Sequence, residues 1–152
     1  DIVAWREAGA DCTIAFLHWG VEYSQRVSRE QSAIAKCLHN AGCQVVVGSH
    51  PHVVQGVEVS KREVTIYSLG NFVSNQRMRG SDGGIIAQLD IEKRTDGCQY
   101  WLDIIPVWVR HRDYAVMPIS AVDTIPLSWD ERAAYNLLMS DCKKLFFAVR
   151  LI

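Results

Sequence analysis

The sequence predicts an α/β fold, and three observations carry that reading. An apolar strand candidate, Cys12-Thr13-Ile14-Ala15-Phe16-Leu17, ends in His18; a second, Val45-Val46-Val47, runs through Gly48-Ser49 into His50-Pro51-His52; and the segment between them is patterned as a helix. Ser28 and Gln31 have capping-box spacing, Ile34, Cys37, Leu38 and Ala41 recur on one helical face, and Gly42 stands where a helix stops. Strand, helix, strand is a βαβ crossover, which makes the strands parallel and puts both carboxyl ends on one sheet edge. Neighbouring strands lie about 4.8 Å apart, and open α/β sheets bind ligands beyond those carboxyl ends. His18, His50 and His52 are therefore expected to converge, with Gly48 letting the backbone turn sharply into the histidine loop.

The remaining elements follow in order. Ile2 to Ala8 reads as a short helix stopped by Gly9. After the histidine loop, Val57-Glu58-Val59 and Val64 to Leu69 alternate with period two around the polar turn Ser60 to Glu63, a hairpin that Gly70-Asn71 closes. A glycine-containing polar loop, Ser74 to Gly84, precedes a strand with Ile85, Ala87, Leu89 and Ile91 on one face. Thr95-Asp96-Gly97 is a turn into a strand from Gln99 to Val109, expected to bend at Pro106, with a short strand from Tyr114 to Ile119 after it. Ser128 and Glu131 cap a final helix whose apolar side is Leu137, Leu138, Cys142, Leu145 and Phe146. The expected organisation is a single domain fragment over 1–152, with a βαβ part at 1–56, a mainly β part at 57–120 and a terminal helix at 128–147. Helices flanking two sheets is the layer arrangement this order suggests.

Composition narrows the function classes. With 49% hydrophobic and 22% charged residues, the chain has the balance of a core-forming domain. A formal net charge of -1 with dispersed lysine and arginine gives no footprint for nucleic acid, and Arg77, Arg79, Arg110 and Arg112 read as solvated loop charge. No window reaches the ~20 uninterrupted apolar residues of a membrane span, so the fragment reads as soluble. The chain starts at Asp1, inside a helix, and reads as a piece of a longer protein. Five cysteines, an odd number without a CxxC pair, argue against a disulfide framework or structural zinc. Cys12, Cys37 and Cys43 are expected in the core as small apolar side chains.

Three phrases occur in order: His18-Trp19-Gly20-Val21-Glu22-Tyr23, Gly48-Ser49-His50-Pro51-His52-Val53-Val54-Gln55-Gly56 and Tyr67-Ser68-Leu69-Gly70-Asn71-Phe72-Val73. Together they resemble the bacterial capsule-synthesis CapA family, associated with poly-γ-glutamate synthesis, within the calcineurin-like metallophosphoesterase superfamily. The resemblance spans roughly residues 1 to 110. It implies the C-terminal part of a four-layer α/β/β/α sandwich with a metal-binding edge, and it maps metal ligands onto His18, His50 and His52. It further implies divalent metal, manganese, iron or zinc, with two ions in the full-length protein and hydrolase chemistry on a phosphate ester. The superfamily's aspartate and asparagine motifs are not in this sequence, so the fragment holds about half a site and is expected to be inactive alone. The partners implied are the missing N-terminal half and a membrane-bound polymer-synthesis complex; a homo-oligomer through the exposed sheet edge is a further expectation. The implied location is the cell envelope, facing outward and membrane-anchored, whereas free cysteines suit a reducing compartment.

Glu22, Ser49 and Asn71 are candidates to orient a ligand or touch substrate. Glu22 stands four residues after His18 and could equally cap or face solvent, and Asn71 after Gly70 could equally be a turn former. Ser49 lacks the strand-to-helix elbow of a nucleophilic serine. His39, on the exposed side of its helix near the C-terminus, and His111, between two arginines, read as structural or surface residues. Trp101 and Trp108 read as core rather than a sugar-stacking platform. Two readings of other classes stay open: a non-catalytic assembly or polymer-binding component, and a generic metal-dependent phosphoesterase.

Overall fold

The computed structural model describes residues 1–146 and 150–151. The chain enters through α1 (Ile2–Glu7), then β1 (Ile14–His18), α2 (Arg29–Asn40) and β2 (Val45–Ser49). β1 and β2 pair in parallel with Ile14 opposite Val45 and His18 opposite Ser49, which is the expected crossover. The capping box forms: Ser28 Oγ accepts from Gln31 N, and Gln31 Oε1 accepts from Ser28 N. The buried side of α2, however, is Gln31, Ala35 and Leu38, while Ile34 and Cys37 are exposed. A small Ala35 against Val46 and Tyr67 lets the helix lie close to the sheet, so the packing stripe is rotated from the one the larger apolar residues suggest. Cys37 is thus not a core residue, and of the three cysteines expected inside, Cys43 alone is fully buried. His39 is half-buried, not on the exposed side: Nδ1 bonds Cys43 O at 2.8 Å and Nε2 bonds Thr65 Oγ1 at 2.7 Å, fastening α2 to the sheet.

β3 (Val57–Val59) and β4 (Val64–Ile66) form the predicted hairpin, and β4 also pairs in parallel with β2, giving the order β1-β2-β4-β3. The second sheet is built from β5 (Gly83–Arg94), β6 (Gly97–Arg110) and β7 (Ala115–Pro118), with β8 (Arg150–Leu151) alongside β6. The β5–β6 ladder runs unbroken from Gly83 opposite Trp108 to Arg94 opposite Gly97, through Pro106. The β6–β7 ladder ends at Val107, so Pro106, which has no N–H, falls just outside it. The two strands overrun the cores they bury: Ile91 and Trp101 are exposed, against expectation, and Trp108 is 1% exposed.

α3 (Ile119–Val122) leads to α4 (Trp129–Leu145), whose predicted capping box between Ser128 and Glu131 is present. The helix buries Tyr135, Leu138 and Cys142, while Leu137 is exposed. The expected terminal-helix limit at residue 147 lies outside the described residues.

The layers follow from strand alternation. Val46 joins Trp19, Ala35 and Tyr67 in a core beneath α2, whereas Val45, Val47, Val64 and Ile66 join Leu102, Ile104, Trp108 and Leu138 in the larger core shared with the second sheet and α4. The chain is an α/β fold of two sheets with helices packed on them. No helix among the described residues is long and apolar enough to cross a membrane.

Gly48 does not make the sharp turn expected of it. It lies inside β2, where an added Cβ would collide with the Tyr67 carbonyl oxygen and with Trp19 Nε1. Trp19 Nε1 donates to that same oxygen at 2.9 Å, so glycine makes room for the bond that seats β1's exit loop. Gly48→Ala should cost about 3 kcal/mol by overpacking, read as a lower denaturant midpoint, whereas Gly56→Ala, where nothing lies within 4 Å, should change stability by less than about 0.5 kcal/mol. Burial pushes the Cys142 thiol up to about 12 and also raises Cys43. Native protein at pH 8 should therefore take a maleimide at exposed Cys37 first, with Cys43 and Cys142 labelled only after unfolding, as peptide mass mapping would read.

Candidate functional site

The site stands at the carboxyl edge of the β1–β2 pair. Register places the end of β1 beside the end of β2, and Trp19 N donates to Ser49 O at 3.1 Å just past it. The chain then turns on side-chain-bearing residues: His50 has φ 100° and His52 φ 61°. Positive φ is uncommon for a residue with a Cβ and carries a strain cost that the surroundings must hold in place. Buried Pro51 supplies part of that hold, since its carbonyl accepts from Tyr23 N at 2.8 Å and so joins the loop after β1 to the histidine loop. Tyr23, itself at φ 61°, stacks on His52 with ring centroids 5.8 Å apart.

This joining delivers Glu22. One ligand atom each from Glu22, His50 and His52 lie within 4.8 Å of one another, and His52 Nε2 is 3.7 Å from Glu22 Oε1. His18 sits beside them, its ring centroid 4.4 Å from that of His50, although it is not a member of that group of three. The three imidazoles therefore do come together at this edge, with the Glu22 carboxylate added on the side of His50 and His52.

Asn71 orients the ring of His52. Its Nδ2 donates to Ser81 O at 2.8 Å and to Gln76 Oε1 at 2.9 Å. A carbonyl oxygen can only accept, so the amide orientation is fixed and Oδ1 faces His52 Nδ1 at 3.1 Å. Nδ1 is then the donor in this bond, and Nε2 is the ring nitrogen that faces Glu22. A metal-bound histidine is held in the same way, with its other nitrogen donating to an oxygen. Asn71 is thus an orienting residue through His52. Ser49, by contrast, spends its hydroxyl on Leu17 O at 3.1 Å.

Two imidazoles and a carboxylate are the donor types that manganese, iron and zinc accept, and three protein ligands leave positions for water or substrate. The donor set therefore fits one divalent ion. Sequence reading did not find Tyr23, Gln76 or Ser81; Tyr23 follows Glu22 directly, but the other two reach Asn71 through a loop with no periodic signal. A cavity of about 690 Å³ opens at the opposite edge, lined by Arg6, His39, Arg62 and Tyr100 among others, and shares no residue with the histidine loop.

Comparison with known proteins agrees with the three ordered phrases. The profile of a family described as bacterial capsule synthesis protein PGA_cap matches residues 1–76. The chain is 31% identical over 139 residues to the capsule biosynthesis protein CapA of Bacillus anthracis, covering 91% of this chain and 31% of that protein. It is 35% identical over 88 residues to the PGA biosynthesis protein CapA of Bacillus subtilis strain 168, covering 58% of this chain and 23% of that protein. The chain spans less than a third of the length of these relatives. With half of its residues inside the family profile, the chain belongs to the bacterial capsule synthesis family PGA_cap.

Proposed function

We propose that this chain contributes a divalent-metal site to a protein of capsule or poly-γ-glutamate synthesis, with metallophosphoesterase-type chemistry on a phosphate ester. The observation that carries the reading is the cluster of Glu22, His50 and His52, with His52 oriented by Asn71. His18, whose ring lies against that of His50, is a further candidate donor outside that group of three. Family membership and the names of the two Bacillus relatives support the pathway. When bound, the ion supplies Lewis acidity and a more acidic water at neutral pH. The chain's own part is to hold the donors: Pro51 and Tyr23 bring the two loops together, and Asn71 bonds Nδ1 of His52 so that Nε2 faces Glu22.

In the full-length protein, His50→Ala, His52→Ala and Glu22→Gln should each weaken manganese or zinc binding by at least about tenfold, while Ser49→Ala leaves it unchanged; calorimetric titration of the purified variants decides. Equal affinity in all of them would remove the site. Asn71→Leu should keep all three donors and still weaken binding about 10- to 100-fold, the range seen when the partner of a ligand histidine is lost. Hydrolysis of phosphate monoesters or diesters by the metal-loaded protein, abolished in the His52 variant, tests the chemistry.

A further inference from the structure

Glu22 sits in an exposed loop, and beside the bonds from Pro51 and Gln55 that loop has a further hold from a distant part of the chain. Asp141, in α4, is 5% exposed. Its Oδ2 accepts from Gln25 Nε2 at 3.0 Å and lies 3.6 Å from an Arg79 guanidinium nitrogen. Gln25 is three residues after Glu22, and Arg79 lies two residues before Ser81, whose carbonyl fixes the Asn71 amide. One buried carboxylate therefore touches both the loop that supplies a ligand and the loop that orients another. Arg79 and Lys144, whose Nζ is 3.9 Å from Oδ1, balance its charge. α4 lies beyond residues 1–76, the part that the family profile matches.

We propose that Asp141 is a positioning residue for the candidate metal site: it holds the Glu22 and Asn71 loops at their mutual spacing and so sets metal affinity without touching the ion. The inference rests on the metal reading above. Removing the carboxylate leaves the Gln25 amide without this partner and takes one ion-pair contact from the Arg79 loop, so both loops lose a shared anchor.

The test uses the full-length protein with Asp141→Ala, with Gln25→Ala as a second route that leaves α4 intact, and with Leu145→Ala as a control that weakens the packing of α4 on the core at its C-terminal end. Manganese affinity should fall at least about tenfold in Asp141→Ala and measurably in Gln25→Ala, and stay near the native value in folded Leu145→Ala. Hydrogen exchange of the amides of Tyr23 and Ser24 should speed up in the first two and not in the third, with no metal present. Native affinity and native exchange in both Asp141→Ala and Gln25→Ala, alongside loss of metal in His52→Ala, would overturn the positioning role while leaving the metal site standing. Faster exchange in a protein that binds no metal even in native form would keep the loop clamp and overturn the metal reading.

Discussion

The parallel pairing of β1 with β2 is the constraint on which everything else at the site depends. Because His18 and Ser49 are register partners, the loops that follow them leave the sheet side by side, and a ligand from each can reach a common point. That register needs β1's exit loop to close over β2, and the closure is made by the Trp19 indole bonding Tyr67 O across the α-carbon of Gly48. A one-residue slip of β1 would turn His18 to the other face of the sheet, away from the His50 ring it now lies against.

Loop geometry is then imposed by buried amides more than by apolar packing. Gln31 and Gln55 are essentially fully buried, and Gln31 Nε2 donates to Gln55 Oε1 at 2.8 Å while Gln55 Nε2 donates to Ser24 O at 2.8 Å. α2 is thereby coupled to the loop bearing Glu22 through its own capping residue, since Gln31 Oε1 also accepts from Ser28 N. Such a relay, with each member satisfied, fixes one arrangement because any alternative would strand a buried polar group. It explains how left-handed backbone at Tyr23, His50 and His52 is tolerated: the neighbouring bonds over-determine it.

The sequence made the βαβ unit, both capping boxes and the hairpin legible because each is a local signal, read within a few residues. The packing stripe of α2 was not legible, because apolar size pointed to Ile34 and Cys37 whereas the close approach of helix to sheet selected Ala35 and Gln31. Trp101 and Ile91 were misplaced for a related reason: alternation predicts a face, but β5 and β6 extend past what covers them. At the site, the histidines announced themselves by standing at strand ends. The link of Asn71 to His52 and the part played by Tyr23 depend on contacts between separate loops, and no spacing along the chain encodes them.

Donor count and exposure together say how such a site is completed on the proposed reading. Glu22, His50 and His52 would together hold one ion, and His18 stands beside His50 at the end of β1, the edge strand of its sheet among the described residues. Ile14 and Phe16, on the same face of β1 as His18, are 42% and 77% exposed, although their register partners Val45 and Val47 are buried. An apolar face left open beside a ligand histidine means that apolar cover and further donors would approach from one direction, across the free edge of β1.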